Sequence, residues 1–276
     1  MAPTVAVPTV LALDPTLQTI HDHPAPLALG TITQITPSPT TSAGLPEHVL
    51  RDAREHILRF GNDDGIAFIH VANDRYIVYT CSGCDATPDG LYAFDRTTKA
   101  TIPIGRGTDA LLTDEWVLYM GRHDTAKTLE VFNLRTGEHL QVAAAFDPRD
   151  LRGDYLTNPS ERYSLAPPTI VWVYGGVHVY DLNTRTTRTL NIPQQLWSSA
   201  SVLGHSETLI WFSGRWGYDL ITDQVFFIRD FDPPGWERVR SEGGSGPRLE
   251  DDQFIWSYEV NGEEYIFTAP IVRSGQ

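Results

Sequence analysis

The fold of this chain is decided by a short recurring stretch, and its clearest copy reads Val179-Tyr180-Asp181-Leu182-Asn183-Thr184. An Asp or Asn that opens a four-residue turn can accept the backbone N–H two residues further on, so this spacing predicts a tight hairpin between two strands. An aromatic residue, an Asp or Asn, and a Thr three positions later recur at 94–98, 132–136, 180–184 and 218–222. The chain is therefore predicted to repeat one strand–turn–strand unit.

A second signal has the same period. Five short aromatic-rich strands are predicted, and their aligned aromatic residues are separated by 40, 53, 39 and 45 residues. These residues are Tyr79, Tyr119, Trp172, Trp211 and Trp256. Repeats of this length, each made of several strands, are typical of propeller blades. The interval of 53 residues holds an extra loop at 146–160.

The repeats at 131–137 and 179–184 resemble those of TolB-type and related bacterial propellers, whose units contain the sequence Val-Tyr-Asp-Leu-x-Thr-Gly. The resemblance covers residues 63–272 and implies an all-β fold, a β-propeller. Those families have six or seven blades, whereas this sequence shows five repeats. We therefore expect about five four-stranded blades within residues 63–276. The resemblance implies nothing about activity.

The last repeat is short. The turn signal Asn261-Gly262 leaves room for a third strand at 264–268, and the sequence ends at Gln276 with little room for a fourth. Propellers usually complete such a blade with a strand from the other terminus. We expect residues 30–36 to supply it, with ring closure by Ile32, Thr33, Gln34 and Ile35.

Residues 1–44 are predicted to form an extended arm, because seven prolines from Pro3 to Pro39 forbid a helix. A short helix is expected at 45–62. Once 30–36 is used for closure, the strand-like segment 4–13 has no assigned partner. We expect it to pair in cis or with a neighbouring subunit, and a head-to-tail contact that does not close would build a fibre. The predicted assembly residues are Val5, Val7, Val10, Leu11 and Leu13.

Charge and composition limit the partners. The net charge of −14 and the absence of a basic run exclude nucleic acid and an anionic membrane surface as expected partners. The sequence has no run of 18 apolar residues, so membrane insertion is not expected. The predicted partner is therefore another copy of the chain, in a homo-oligomer or homopolymer. An extracellular or cell-surface location is expected. Because no signal peptide is visible, the chain would be the mature form.

Two cysteines, Cys81 and Cys84, form a single Cys-Ser-Gly-Cys motif. A small disulfide is the favoured interpretation, with free thiols or a metal site as alternatives. A zinc site would need two further ligands, and the sequence has no second pair of suitable spacing. No metal and no cofactor are therefore predicted.

Motifs for catalysis are missing from the sequence, which contains no Gly-x-Ser-x-Gly, no phosphate-binding loop and no His-Glu-x-x-His. We therefore expect a non-catalytic structural or interaction propeller. The alternative is a carbohydrate- or ligand-binding propeller that resembles glycoside hydrolases, with carboxylates at the channel mouth. The candidates are Asp64, Asp74, Asp109, Asp114, Glu161 and Asp252. Trp197, Trp216 and Trp236, which fall near loops, are the candidate aromatic residues of a binding face.

Overall fold

A computed structural model describes residues 27–35, 66–82, 90–123, 126–146, 162–198, 200–228, 230–236, 243–250 and 252–273. Within these ranges the chain is nearly all β. The predicted helix at 45–62 and the predicted strand at 4–13 lie outside them. The described part has one short helix, α1 (Gln194–Trp197), which the sequence analysis did not predict.

The strands form successive antiparallel units. Unit 1 contains β3 (Ile66–Ala72), β4 (Tyr76–Ser82), β5 (Gly90–Asp95) and the first half of β6 (Ala100–Thr113). Unit 2 contains the second half of β6, β7 (Trp116–His123), β8 (Ala126–Asn133) and β9 (His139–Phe146). Because β6 runs through both units, β3 to β9 form one seven-stranded sheet.

The next two units are separate four-stranded sheets. Unit 3 contains β10 (Tyr163–Ala166), β11 (Thr169–Val173), β12 (Val177–Asp181) and β13 (Thr186–Thr189). Unit 4 contains β14 (Val202–His205), β15 (Leu209–Phe212), β16 (Trp216–Asp219) and β17 (Gln224–Phe227). In each unit the strands pair in sequence order, as hairpins joined by short turns require.

The predicted turns have the same geometry in units 1 to 4. The side-chain oxygen of the Asp or Asn accepts the backbone N–H groups two and three residues later. The residue four positions later donates its N–H to the Asp or Asn carbonyl and has a positive φ. The four turn residues are Asp95, Asn133, Asp181 and Asp219.

Apolar side chains fill the space between neighbouring units. One cluster joins units 1 and 2, another units 2 and 3, a third units 3 and 4, and a fourth joins unit 4 to the last sheet. The first strands of consecutive units also contact each other, from β3 to β6, β10 and β14. Radial sheets packed face to face around their first strands are the architecture of a β-propeller.

Unit 5 takes strands from both ends of the chain. Its sequence-continuous part is β18 (Arg248–Glu250), β19 (Gln253–Val260) and β20 (Glu263–Arg273). The outer positions are filled by β1 (Leu27–Leu29) and β2 (Thr33–Ile35), both antiparallel to β20. Two details differ from the predicted strand at 30–36. The closing segment begins at Leu27, and it is interrupted around Gly30 to Ile32.

No helix within the described ranges is long and apolar enough to cross a membrane.

Candidate functional site

The predicted assembly residues Val5, Val7, Val10, Leu11 and Leu13 all lie outside the described residues, so their role stays a prediction. The predicted closure residues are described. Thr33, Gln34 and Ile35 lie opposite Thr268, Phe267 and Ile266 of β20, and Ile32 packs against the core of unit 5.

The outer edge of unit 5 is a candidate interaction site. Leu27 lies opposite Arg273 and is 2% exposed, so the segment is anchored at its first residue. The backbone N–H of Gly30 donates to the carbonyl of Pro270 at 2.7 Å. The opposite side of β1 and β2 has no strand partner within the described residues. We call this backbone side of residues 27–35 the closure edge.

Cys81 is buried in β4 and is a disulfide-bonded residue. Cys84 lies outside the described ranges, so the pairing of the two cysteines stays a prediction.

The carboxylates considered for glycoside hydrolysis occupy turns and bulges where they are described. Asp114 and Asp252 have positive φ angles of 52° and 59° in the turns that follow β6 and β18. Asp252 accepts hydrogen bonds from Ser206 and Thr208 of unit 4. Asp109, at an irregularity of β6, accepts the Thr108 hydroxyl at 2.8 Å. Asp74 lies in the turn before β4, and Asp64 and Glu161 lie outside the described residues.

The tryptophans predicted near a binding face differ in position. Trp216 is 3% exposed and stacks on Phe212 with ring centroids 4.0 Å apart, so its assignment to a surface was wrong. Trp236 packs against three aromatic rings of unit 5 and is partly buried. Trp197 lies in α1 and is partly buried.

A polar network that the sequence analysis did not predict lies on the face of unit 2 that is turned toward unit 1. Its centre is Glu130 of β8, whose side chain is 5% exposed. The Tyr119 hydroxyl of β7 donates to Oε2 at 2.7 Å, and the Thr128 hydroxyl donates to Oε1 at 2.6 Å. Two imidazoles complete the network. Nε2 of His139 is 2.8 Å from Oε2, and Nε2 of His123 contacts Oε1.

Strand register explains why these groups meet. Tyr119 and His123 are four positions apart on β7, and Thr128 and Glu130 are two positions apart on β8. Because side chains alternate between the two faces of a strand, each pair projects from one face. Glu130 lies directly opposite Tyr119, and Gly121 lies opposite Thr128. A Cβ atom at Gly121 would lie 2.5 Å from Oε1 of Glu130, so only glycine leaves room for the carboxylate.

The environment keeps Glu130 ionised. Burial alone would raise its pKa, but the four hydrogen bonds outweigh burial and lower the pKa to about 2. Burial and the hydrogen bond to Glu130 raise the pKa of Tyr119. A carboxylate with four donors and such a low pKa is a poor general base, because both of its oxygens are already occupied.

The imidazoles are the accessible part of the network. The side chains of His123 and His139 are 61% and 45% exposed. Because each uses Nε2 toward Glu130, each presents its Nδ1 side away from the carboxylate. Such an arrangement can hold two oriented imidazoles at the surface, where a polar ligand can reach them.

Sequence reasoning missed the network because its five side chains come from three strands and no short motif links them. The alternation of polar residues Thr128 and Glu130 within a strand was the available signal. The apolar residues Leu129 and Val131, which alternate with them, indicate a buried opposite face, but they do not identify the partners of Glu130.

A second buried polar contact joins units 3 and 4. His205 of β14 contacts the Ser164 hydroxyl through Nδ1 at 2.9 Å and the Thr169 carbonyl through Nε2 at 3.1 Å. The carbonyl can only accept, so Nε2 carries the proton and Nδ1 accepts from Ser164. Burial lowers the pKa of His205 to about 4, partly opposed by the bond to Thr169. His205 is therefore a neutral structural residue near pH 7.

Comparison with known proteins gives similarity at the level of structure. No family model matches the chain, and no curated protein matches it in sequence. TolB from Acinetobacter baumannii is 14% identical, with a TM-score of 0.37 over 71% of this chain and 51% of that protein. This chain thus spans about half the length of that TolB.

Two other solved structures align with a larger share of this chain, and over a larger share of their own length, than TolB does. An oligogalacturonate lyase from Vibrio parahaemolyticus is 8% identical, with a TM-score of 0.45 over 89% of this chain and 71% of the lyase. The calcium-binding protein regucalcin from Agrobacterium tumefaciens is 13% identical, with a TM-score of 0.37 over 75% and 76% of the two chains. Similarities this weak carry no argument about activity. By the arrangement of its sheets, the chain is an all-β propeller.

Proposed function

We propose that this chain is a non-catalytic, exported propeller of five blades with TolB-type repeats, which assembles with copies of itself. In this proposal units 1 to 5 are the blades, and residues 4–13 form the arm that adds as a strand to a neighbouring subunit. The assembly is a homo-oligomer or, where the contacts do not close, a fibre.

The observation that carries the proposal is the pairing of β1 and β2 with β20. The N-terminal part of the chain already joins a sheet by strand addition, and 26 residues precede Leu27. Within those residues the segment 4–13 has the same composition, uncharged and rich in β-branched and aliphatic residues. Strand addition by such a segment provides backbone hydrogen bonds and one apolar face.

An exported location is supported by the disulfide-bonded state of Cys81, since disulfides persist in oxidising compartments. The absence of nucleic acid as a partner rests on the net charge of −14.

Deletion of residues 1–15 tests the assembly. We expect the shortened protein to keep the far-UV circular dichroism of the full chain and to sediment as a monomer at concentrations where the full chain assembles. Identical sedimentation of the two proteins over the whole concentration range would contradict the proposal.

The Glu130 network supports a second candidate function, the binding of a small polar ligand such as a carbohydrate. Its support is the pair of half-exposed imidazoles held by one buried carboxylate. A glycan array probed with the wild-type protein and with His123→Ala and His139→Ala variants tests it. The control is His178→Ala, because His178 lies on β12 of unit 3 and has no contact with Glu130. Binding that is lost in the first two variants and kept in the third is expected, and no binding by the wild type would contradict it.

A further inference from the structure

The closure edge lacks two of the features that usually keep an exposed strand edge from pairing, namely charged side chains and proline. Natural sheets protect their edges with charged side chains, proline, short strands or β-bulges. Residues 27–35 read Leu-Ala-Leu-Gly-Thr-Ile-Thr-Gln-Ile, with no charged residue and no proline. They extend along β20 from Ile266 to Arg273. The edge is therefore uncharged and free of proline, although it consists of two three-residue strands with an interruption between them.

The outer strands of units 2 to 4 differ from the closure edge in charge or in length. β13 is four residues long and contains Arg188. β17 is also four residues long and directly follows Asp223. β9 is longer, but its pairing with β8 has two irregularities. The closure edge thus differs from β13 and β17 in having no charged residue in or directly before its strands.

Apolar side chains are exposed beside the closure edge. Ile35 and Val272 are 37% and 44% exposed. Val272 lies opposite Ala28 and Ile35 lies opposite Ile266, so all four side chains share one face of the sheet. Phe267, which belongs to the core between units 4 and 5, projects to the other face. A strand added to the closure edge would cover part of this apolar face.

We propose that the closure edge is the acceptor for residues 4–13 of a second copy of this chain, an inference that rests on the proposed function. The donor is uncharged, as is the acceptor. Its apolar residues at alternate positions would extend the row formed by Ile35 and Val272. Pro8 lacks an N–H group, which is tolerated where that side of the added strand becomes the new edge.

The start of the closing segment favours a second copy as the source of the arm. Pro26 directly precedes Leu27 and Pro24 lies two residues before Pro26, and prolines so spaced favour an extended, stiff backbone. From this sequence pattern we expect the chain before Leu27 to continue in the direction of β1 and not to turn back along it. The preceding 26 residues can span up to roughly 85 Å when extended, enough to reach a neighbouring subunit.

The test places charge on the closure edge of the full-length protein. In the variant Thr31→Lys/Gln34→Lys, two exposed side chains that make no side-chain hydrogen bond to the described part of the chain acquire the charge that natural edges carry. The matched control is Thr187→Lys/Asn191→Lys, which adds the same charge to exposed positions at the outer side of unit 3. Sedimentation velocity over a concentration series is expected to show a dissociation constant raised at least tenfold for the closure-edge variant and unchanged for the control.

Hydrogen exchange on the wild-type protein gives a second measurement that does not depend on how the variants fold. Backbone amides within residues 27–35 are expected to exchange at least tenfold more slowly at concentrations where the protein assembles than where it is monomeric. Equal protection in monomer and assembly would show that the closure edge gains no strand on assembly, and it would overturn the inference.

The two proposals fail in distinguishable ways. Assembly that requires residues 1–15 but is unchanged by the closure-edge variant would overturn the acceptor site and leave the proposed function intact. Assembly that is independent of residues 1–15 would overturn the proposed function itself.

Discussion

Replacement of Glu130 by Gln removes the charge at the centre of the network in unit 2 while nearly preserving the side-chain volume. The Gln amide has one acceptor oxygen where the carboxylate has two, so the donors that face the position of the NH2 group lose their acceptor. In the wild-type protein those donors are Tyr119 and His139 on Oε2, and Thr128 and His123 on Oε1. A buried donor without a partner costs about 1–3 kcal/mol.

The pKa of Glu130 gives an independent magnitude. It is lowered from 4.5 to about 2, and one pKa unit corresponds to about 1.4 kcal/mol, so ionisation of Glu130 stabilises the folded state by about 3 kcal/mol. We therefore expect Glu130→Gln to lower the free energy of unfolding at pH 7 by about 2–3 kcal/mol. For a protein of this size that corresponds to a fall in Tm of roughly 5–10 °C.

Urea and thermal denaturation at pH 7, repeated in steps to pH 3, measure this effect. The folded pKa of Glu130 lies below the unfolded value, so its contribution is complete above pH 4.5 and is lost as the pH falls toward 2. The variant is expected to lack this part of the acid limb. Glu138→Gln is the control, because Glu138 is 33% exposed and its ion pair with Arg185 contributes at most about 1 kcal/mol. A Glu130→Gln protein within about 0.5 kcal/mol of the wild type would refute the reasoning.

Three further predictions follow from the described contacts. The pKa of His205 is about 4 in the folded protein and 6.5 ordinarily, so the protein is expected to lose stability as the pH falls from 6.5 to 4. The urea midpoint of a His205→Gln variant is expected to change less with pH over that range. Gly137 has a φ of 74° in its turn, and a Cβ atom there would meet no other atom within 4 Å, so Gly137→Ala is expected to lower the free energy of unfolding by about 1 kcal/mol through backbone strain alone. Lys99 occupies the equivalent position in unit 1, and Lys99→Gly is expected to be neutral or stabilising in the same assay. Asp219 is fully buried and paired with Arg273. Asp219→Asn is expected to lower the free energy of unfolding, measured by chemical denaturation, by about 2–4 kcal/mol because the guanidinium loses its counter-charge. A decrease below about 1 kcal/mol would contradict this.

The repeated turns could be predicted from sequence because their determinants are local. Asp95, Asn133, Asp181 and Asp219 each satisfy N–H groups within three residues of themselves. A single sequence contains that information in full, since the side chain and its donors belong to the same few residues. The period of the aromatic strands also allowed the all-β fold to be predicted from the sequence.

The Glu130 network could not be predicted in this way. Glu130 and His139 are nine residues apart, and only the pairing of β7, β8 and β9 brings them to one face. Trp216 illustrates the same limit. Its position near a turn favoured exposure, yet the packing of units 3 and 4 buries it. Burial between sheets depends on neighbours that lie far away in sequence, so local patterns do not report it.

The continuity of β6 has a consequence for how this protein can change. Its 14 residues leave units 1 and 2 without an intervening loop, so an insertion at this boundary would interrupt a hydrogen-bonded strand. Force applied to one of these two units would pass directly into the other through a single covalent strand. We expect the two units to open together in local unfolding, while units 3 and 4 can open as separate steps. Units 1 and 2 are in this sense one mechanical element, and inserted residues are more easily accommodated in the later units.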